Sequence, residues 1–466
     1  MTQDPNQLSQ AVLDALPDAA MHPSAVAAQL QTLHVADAIE ALNRLEPGNA
    51  AGVLDHVTPA FAVQVFNQPG LALPARIIEA LSHERAALFL SRMHPDRRAE
   101  IYRHLPDEAR SGLAEHLDAK TRTSIDNLLA YPAQSAGGIM TTDFVSMPAN
   151  WTVEQGLQYI KEVGGAKETV YAIYVLDPAT QKLQRAASLR QLVIADRKAS
   201  VLSVANPRAP ITVSPDTDRE EVARLISRYD LLAVPVVDEA NHVLGIVTVD
   251  DVIDAIVAES TEDVQKFGGM EALDGPYMQI GFAAMIKKRA GWLCALFLSE
   301  MLTASAMQYY QSELEKAVVL TLFIPLIMSS GGNSGSQATS LIIRALALRE
   351  VKLGDWWRIA RREVPAGLVL GGLLGLIGVV RIVLWQKFGI FDYGAHWGLI
   401  ALTVGAALVG IVTFGSLAGS MLPFVLKRLG FDPASASAPF VATLVDVTGL
   451  VIYFSVAYAI LRGTLL

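Results

Sequence analysis

The chain has 466 residues, 52% hydrophobic and 18% charged, with 46 acidic and 37 basic side chains and a formal net charge of −9. The charge divides near Ala290: 37 acidic and 25 basic residues precede it, whereas 9 acidic and 12 basic follow. An acidic soluble portion fused to an apolar one argues against nucleic acid as a partner and for metal cations or simple solvation. The single cysteine, Cys294, excludes a disulfide or a cysteine metal site within the chain. Residues 1–7 carry neither a charged n-region nor an apolar core, so residues 1 to about 285 are expected to stay cytoplasmic.

Residues from about 8 to 130 read as short amphipathic helices separated by turns. Prolines recur in Glu46-Pro47-Gly48, Thr58-Pro59, His94-Pro95-Asp96 and Leu105-Pro106-Asp107. Between them apolar residues fall at helical spacing, which favours stacked, solenoid-like helix pairs over a compact bundle. Tyr131–Met140 is turn-rich and reads as a joint. From about 141 to 262 strands and helices alternate, and the pattern repeats: Ala172–Asp177 matches Ala233–Asp238, 61 residues later. Each copy reads as an extended entry, a helix, a buried strand, a turn, a second strand and a closing helix. A connector over about 263–289 ends in Lys287, Lys288 and Arg289, expected just before the first span.

Five apolar runs follow, at about 290–310, 317–344, 364–386, 397–426 and 436–461, each long enough to cross a bilayer. Arg344, Arg349, Lys352, Arg358, Arg361, Arg362, Lys427 and Arg428 fall in the loops on the side of the soluble part. The opposite loops hold few basic residues, so the soluble part is expected inside and the C-terminus outside.

Two of these runs are chemically disturbed. Asp446 sits near the middle of Pro439–Ala457. A carboxylate at that depth costs several kcal/mol and must face protein or water. No basic residue lies at mid-depth in any span, so its natural partner is a hard cation such as Mg2+, which prefers oxygen ligands. Ala442 lies one turn earlier, and the small Thr443 and Gly449 flank it at i−3 and i+3, permitting close helix approach and exposed backbone oxygen. In Pro325–Gln337 the amides of Asn333 and Gln337, four residues apart, share a face with hydroxyls nearby. Such groups are costly against lipid without partners. Glu300 in the first span is a weaker candidate, because it lies in the outer half.

The soluble part carries a second signal. Asp250, Asp251, Asp254, Glu259, Glu262 and Asp263 crowd the end of the second repeat, with Asp216, Asp218, Glu220 and Asp230 earlier in it. Like charges three or four apart on a helix repel by a few tenths of a kcal/mol per pair. Such a face is usually merely solvated. Divalent ions bridging it to another acidic face would instead make a switch, because losing the ions lets the faces repel apart.

Two resemblances follow from these residues. Residues 141–262 resemble a tandem pair of CBS domains, with Leu244–Asp254 close to that family's typical stretch; Gln184-Arg185-Ala186 replaces Leu244-Gly245-Ile246 in the first copy. CBS pairs often bind adenine nucleotides between the repeats. Tyr131–Thr141, Gly331–Ala347 and Ala442–Leu450 resemble the MgtE family of Mg2+ channels and transporters, and the order of parts matches over nearly the whole chain.

This resemblance implies a multi-domain membrane protein: an all-α superhelical N domain (1–130), α/β tandem CBS domains (131–262), a connecting plug helix (263–289, its helix about 264–284) and a five-helix transmembrane domain (290–466). It implies a homodimer in the plasma (inner) membrane, among membrane lipid, with no enzymatic activity and a pore on the two-fold axis lined by the second and fifth spans. The selectivity carboxylate falls on Asp446, the backbone oxygen before it on Ala442, and Asn333 lies in the family's polar stretch. Cytosolic Mg2+ sensors that close the pore fall on Asp251, Asp254, Glu259, Glu262, Asp263, Asp218, Glu220 and Asp230. The N domain's acids fall near Asp96 and Glu100, where Arg97 and Arg98 intervene and point to weaker Mg2+ docking.

Overall fold

The computed structural model describes residues 16, 19–273, 275, 277–278 and 280–465. Residues 8–15, expected to open the first helix, lie outside the described residues. The chain divides into two compact units, Met1–Ala258 and Glu259–Leu466.

The first unit opens with short helices of 7 to 11 residues, from Pro23–Leu30 to Ala119–Leu129. Proline starts many of them, at Pro23, Pro47, Pro59, Pro74 and Pro95. There its missing N–H costs nothing and its fixed φ suits the first turn. Ser82 and Asp118 cap two others through the amides of Arg85 and Thr121. Helices pack against the next but one in sequence: Val35–Leu42 on Pro59–Asn67, Pro47–Asp55 on Pro74–Ala80, His83–Arg92 on Asp107–Ala114. That alternation is the expected superhelix, and Leu30, Leu54, Phe66, Phe89 and Leu90 fill its continuous core.

Arg97 and Arg98, which intervene between Asp96 and Glu100 in the sequence, are buried. Arg97 donates to the carbonyls of Phe66 (3.1 Å) and Gln68 (3.2 Å) and pairs with Glu100; Arg98 donates to the Leu90 carbonyl and to Ser124 Oγ (2.8 Å). Helix ends leave carbonyls without partners, and long guanidinium arms satisfy them across successive turns of the superhelix. Both arginines tie successive turns of the superhelix together, and Arg97 also pairs with Glu100 at the edge of the acidic face.

The two repeats are as the pattern predicts. Strands β1 (Val145–Pro148), β2 (Ala172–Leu176) and β3 (Leu183–Ser188) form a sheet in that order, β1 parallel to β2 and β2 antiparallel to β3. Strands β4 (Ala233–Val237) and β5 (Val243–Thr248) repeat the hairpin, and Val213 pairs with Val236 in the place of β1. Both hairpins shift register at the same point, Val175/Leu176 and Val236/Val237.

Tyr131–Met140 is held on both sides: Arg103 donates to the Tyr131 carbonyl from the helical region. Ala136 and Gly137 donate to the carbonyls of Thr217 and Pro215, and Thr141 pairs with Ile246, so the segment is built into the second repeat. A Cβ on Gly138 would lie 2.0 Å from the Pro132 carbonyl oxygen, which only glycine permits.

Among the described residues of 264–284, no separate plug helix is formed. The closing helix of the second repeat runs from Val249 to Phe267 and stops at Gly268-Gly269, where Gly269 takes φ +76°. A left-handed residue at that point ends a helix as a C-cap. The next helix starts at Phe282, so Lys287, Lys288 and Arg289 lie inside it rather than before it. Among the described residues five helical stretches are long and apolar enough to cross a membrane: Phe282–Tyr309, Val318–Ala347, Leu353–Lys387, Trp397–Arg428 and Ala438–Leu461.

Candidate functional site

Three groupings of side chains matter, and each is described within its own unit. In the membrane part the second span packs between the fourth and fifth. Glycine makes this contact possible. A Cβ on Gly331 would meet Val445 at 2.7 Å, one on Gly335 would meet Val441 at 2.7 Å, and Gly332 faces Ala442. On the fourth span, Gly415 and Gly419 press against the carbonyl oxygens of Gly331 and Gly335, and Ser334 and Ser416 share a buried hydrogen bond of 2.6 Å. Small residues thus bring the backbones together where lipid supplies no hydrophobic drive.

This packing places the polar stretch of the second span beside the turn that carries Ala442 and Asp446, the juxtaposition expected from sequence. Asp446 is half-buried and, among the described residues, forms no ion pair. Asn333 and Gln337 point out of the single chain, with Asn333 reaching only Ser329 Oγ at 3.4 Å. An exposed amide face at membrane depth is a face for water or a neighbour. Glu300 is exposed on the first span, whose apolar stretch is unburied within the chain.

The second grouping lies between the superhelix and the CBS pair, inside the first unit. Asp96 opens helix Pro95–Arg103, and Asp251 lies in the first turn of Val249–Phe267, accepting from the amide (3.2 Å) and hydroxyl of Thr248. Sequence reading missed two members. Glu168, in the loop after the first repeat's helix, has a side chain only 8% exposed, and His94 precedes Pro95. Donor atoms of His94, Asp96 and Glu168 all lie within 4.8 Å of one another. No periodicity marks Glu168, because a single acid in an irregular loop has no pattern; His94-Pro95-Asp96 was visible only as a helix start.

The electrostatics follow from crowding. Burial pushes the Asp96 carboxyl up to about 8, and the Glu168 carboxylate adds to the rise. Asp251 rises to about 8 through burial and then Asp96, against the Thr248 hydroxyl. Glu168 rises to about 7 through burial and then Asp251. Burial lowers His94, opposed by Asp143 and Asp250, and raises Asp254, opposed by Arg97. Without a cation the carboxyls of Asp96, Asp251 and Glu168 hold protons near neutrality; a metal ion must displace them. Glu100 stands at the exposed rim of this group, paired with Arg97.

The third grouping is in the second unit. Lys266 Nζ lies 2.6 Å from both Glu262 and Asp432. Asp263 is raised to about 6, by burial first and then by Asp432 and Glu259. Asp432, which also caps the turn at Ala434, was another residue sequence reading overlooked. The remaining expected ligands are not gathered. Asp218 caps the start of helix Arg219–Tyr229 and Glu220 lies in its first turn, whereas Asp230 ends it in the left-handed conformation. An 11-residue helix separates its ends by roughly 16 Å, so these three residues form no single site within one chain.

Comparison with known proteins accords with this arrangement. The family model described as a divalent cation transporter, MgtE, matches residues 324–456, the MgtE intracellular N domain matches 33–134, and the CBS domain matches 204–258. The magnesium transporter MgtE of Thermus thermophilus is 42% identical over 351 residues, 75% of each chain. That of Enterococcus faecalis is 38% identical over 338 residues, 72% of each. The crystal structure of the soluble part of a magnesium transporter is 28% identical, covering 55% of this chain and all of that one at a TM-score of 0.49. With family models matched in the N-terminal helical region, the second repeat and the membrane part, and with relatives 42% and 38% identical over about three quarters of their length, the chain belongs to the MgtE family of membrane transporters, which are not enzymes.

Proposed function

We propose that the protein conducts Mg2+ across the membrane and is closed by cytosolic Mg2+. The observation that carries this reading is the packing of the Asn333 stretch against the helix of Ala442 and Asp446 through Gly331, Gly332 and Gly335. A carboxylate that forms no ion pair among the described residues, on the helix that packs against a stretch of neutral amides and hydroxyls, supplies the ligand chemistry of a hydrated Mg2+. In a homodimer with the pore on its two-fold axis, Asp446 faces its own copy across the hydrated ion, and the exposed Asn333 face becomes pore lining. The unburied first span then meets lipid or the second chain. The membrane potential supplies roughly 2.3 kcal/mol per charge per 100 mV, sufficient for a divalent ion without coupled hydrolysis. The protein sits in the plasma membrane with the soluble domains cytoplasmic and the C-terminus outside.

Gating rests on the two acidic groupings. Mg2+ held by Asp96, Asp251 and Asp254, with Glu100 at the rim, ties the superhelix to the CBS pair. Mg2+ at Glu259, Glu262 and Asp263 ties the end of helix Val249–Phe267 to the membrane unit near Asp432. Asp218, Glu220 and Asp230, on opposite ends of one helix, contribute between chains rather than within one. The cleft between the two hairpins is proposed to take an adenine nucleotide, supported by the tandem repeat itself. Flux of Mg2+ into liposomes containing the purified protein tests the pathway. Asp446→Ala abolishes it on this reading, and undiminished flux in that variant refutes it.

A further inference from the structure

The seam between superhelix and CBS pair holds an imidazole as well as carboxylates. His94 and Asp96 sit at one helix start, and Glu168 reaches them from the first CBS repeat. The Glu168 side chain is more than nine-tenths buried, with Oε2 4.0 Å from His94 Nδ1. That distance is beyond a hydrogen bond. Both Glu168 Oε2 and Asp96 Oδ1 are enclosed and accept no hydrogen bond among the described residues. The neighbouring arginines do not fill the gap: Arg97 and Arg98 spend donors on Phe66, Gln68, Leu90 and Ser124. Buried acceptors without donors are costly and rare unless a proton or cation completes them.

We propose that His94, Asp96 and Glu168 form a site for a borderline transition-metal dication of the Zn2+ class. The donor set decides the ion. Mg2+ takes oxygen and keeps several waters, whereas one imidazole nitrogen with two carboxylates suits Zn2+ and its neighbours in the affinity series. The carboxylates come from opposite sides of the seam, so the bound ion cross-links the superhelix to the CBS pair. The consequence for the gate rests on the proposed closing role of this seam: Zn2+ holds it shut at concentrations far below those at which Mg2+ does. Asp251, whose charge bears on both Asp96 and Glu168 but which is not one of the three donors, remains a Mg2+ ligand.

The test uses metal-stripped, full-length protein in detergent, with Zn2+ titrated against a chromophoric chelator in excess Mg2+. One Zn2+ per chain is expected to resist the Mg2+. Its affinity falls about tenfold or more in His94→Gln and in Glu168→Gln. It is unchanged in His116→Gln, which alters the surface ring pair with His83. Zinc X-ray absorption reports the ligand directly: imidazole scattering is present in the wild-type protein and lost in His94→Gln. Wild-type Zn2+ affinity in both variants, or complete displacement by Mg2+, overturns the proposal. The gating reading fails separately, if Asp251→Asn leaves Mg2+ protection of the soluble part from protease unchanged; that result leaves the Zn2+ titration untouched.

Discussion

Replacing Asp96 with asparagine probes the seam most directly, because the side chain keeps its shape and loses only its charge. Donor atoms of Asp96 and Glu168 lie within 4.8 Å. At an effective dielectric of about 20, two unit charges at that separation repel by roughly 3 kcal/mol. Asp251 adds to this, which is why both Asp96 and Asp251 rise to about 8. A bound Mg2+ attracts the Asp96 charge with twice a unit charge at shorter range, about 8 kcal/mol on the same scale at roughly 4 Å. Much of that is offset by repulsion from two neighbouring carboxylates, leaving a net of about 1–3 kcal/mol. The Asp96→Asn protein should therefore need about ten to a hundred times more Mg2+ for half-maximal protection of its soluble part from protease. The same variant, freed of repulsion, should be better protected than the wild type when Mg2+ is absent at pH 8.5. Protection curves identical to the wild type at both ends would show that Asp96 neither binds the ion nor repels its neighbours, and the electrostatic account of the seam would fall.

The pH dependence has a definite sign. Asp96, Glu168 and Asp251 have folded values raised to about 8, 7 and 8. Their contribution to the docked seam without metal is full below about pH 4 and is lost as pH rises through 7–8. Mg2+-free protease protection should accordingly weaken from pH 6 to pH 8.5, while Mg2+ affinity strengthens, and calorimetry in two buffers at pH 7 should detect proton release on Mg2+ binding. Arg97→Ala leaves the carbonyls of Phe66 and Gln68 without their buried donor and should cost the soluble part about 2–3 kcal/mol, read as a lower Tm. Gly415→Val drives a Cβ to 2.4 Å from the Gly331 carbonyl oxygen and should separate the second and fourth spans, destabilising the membrane unit by about 1–3 kcal/mol with loss of flux. Wild-type thermal stability and flux in that variant would contradict the close glycine packing.

The chain's own order of residues settled its parts. Proline-started helices, a 61-residue repeat of strand patterns and five apolar runs each carry a local signal, since helix starts, strand alternation and membrane length are read over a few residues. Asp446 was legible for the same reason: a carboxylate in an apolar run is conspicuous wherever the run packs. What needed the tertiary structure was everything decided by partners distant in sequence. Arg97 and Arg98 stand in the sequence only as basic residues among acids, whereas in the fold their guanidiniums lie on carbonyls about 30 residues back or on Ser124. Tyr131–Met140 was legible as a turn-rich joint, but not that Ala136 and Gly137 donate to the carbonyls of Thr217 and Pro215 some 80 residues on. The resemblance put a plug helix over about 264–284, past Gly268-Gly269, where a left-handed residue ends the preceding helix. The buried acidic group was half visible: Asp96 and Asp251 belong to patterned helices, whereas Glu168 joins Asp96 from an irregular loop. Sequence alone thus determined which segments fold and where charge is costly. Only the fold decided which charges share one enclosed space, because that depends on long-range packing and not on spacing along the chain.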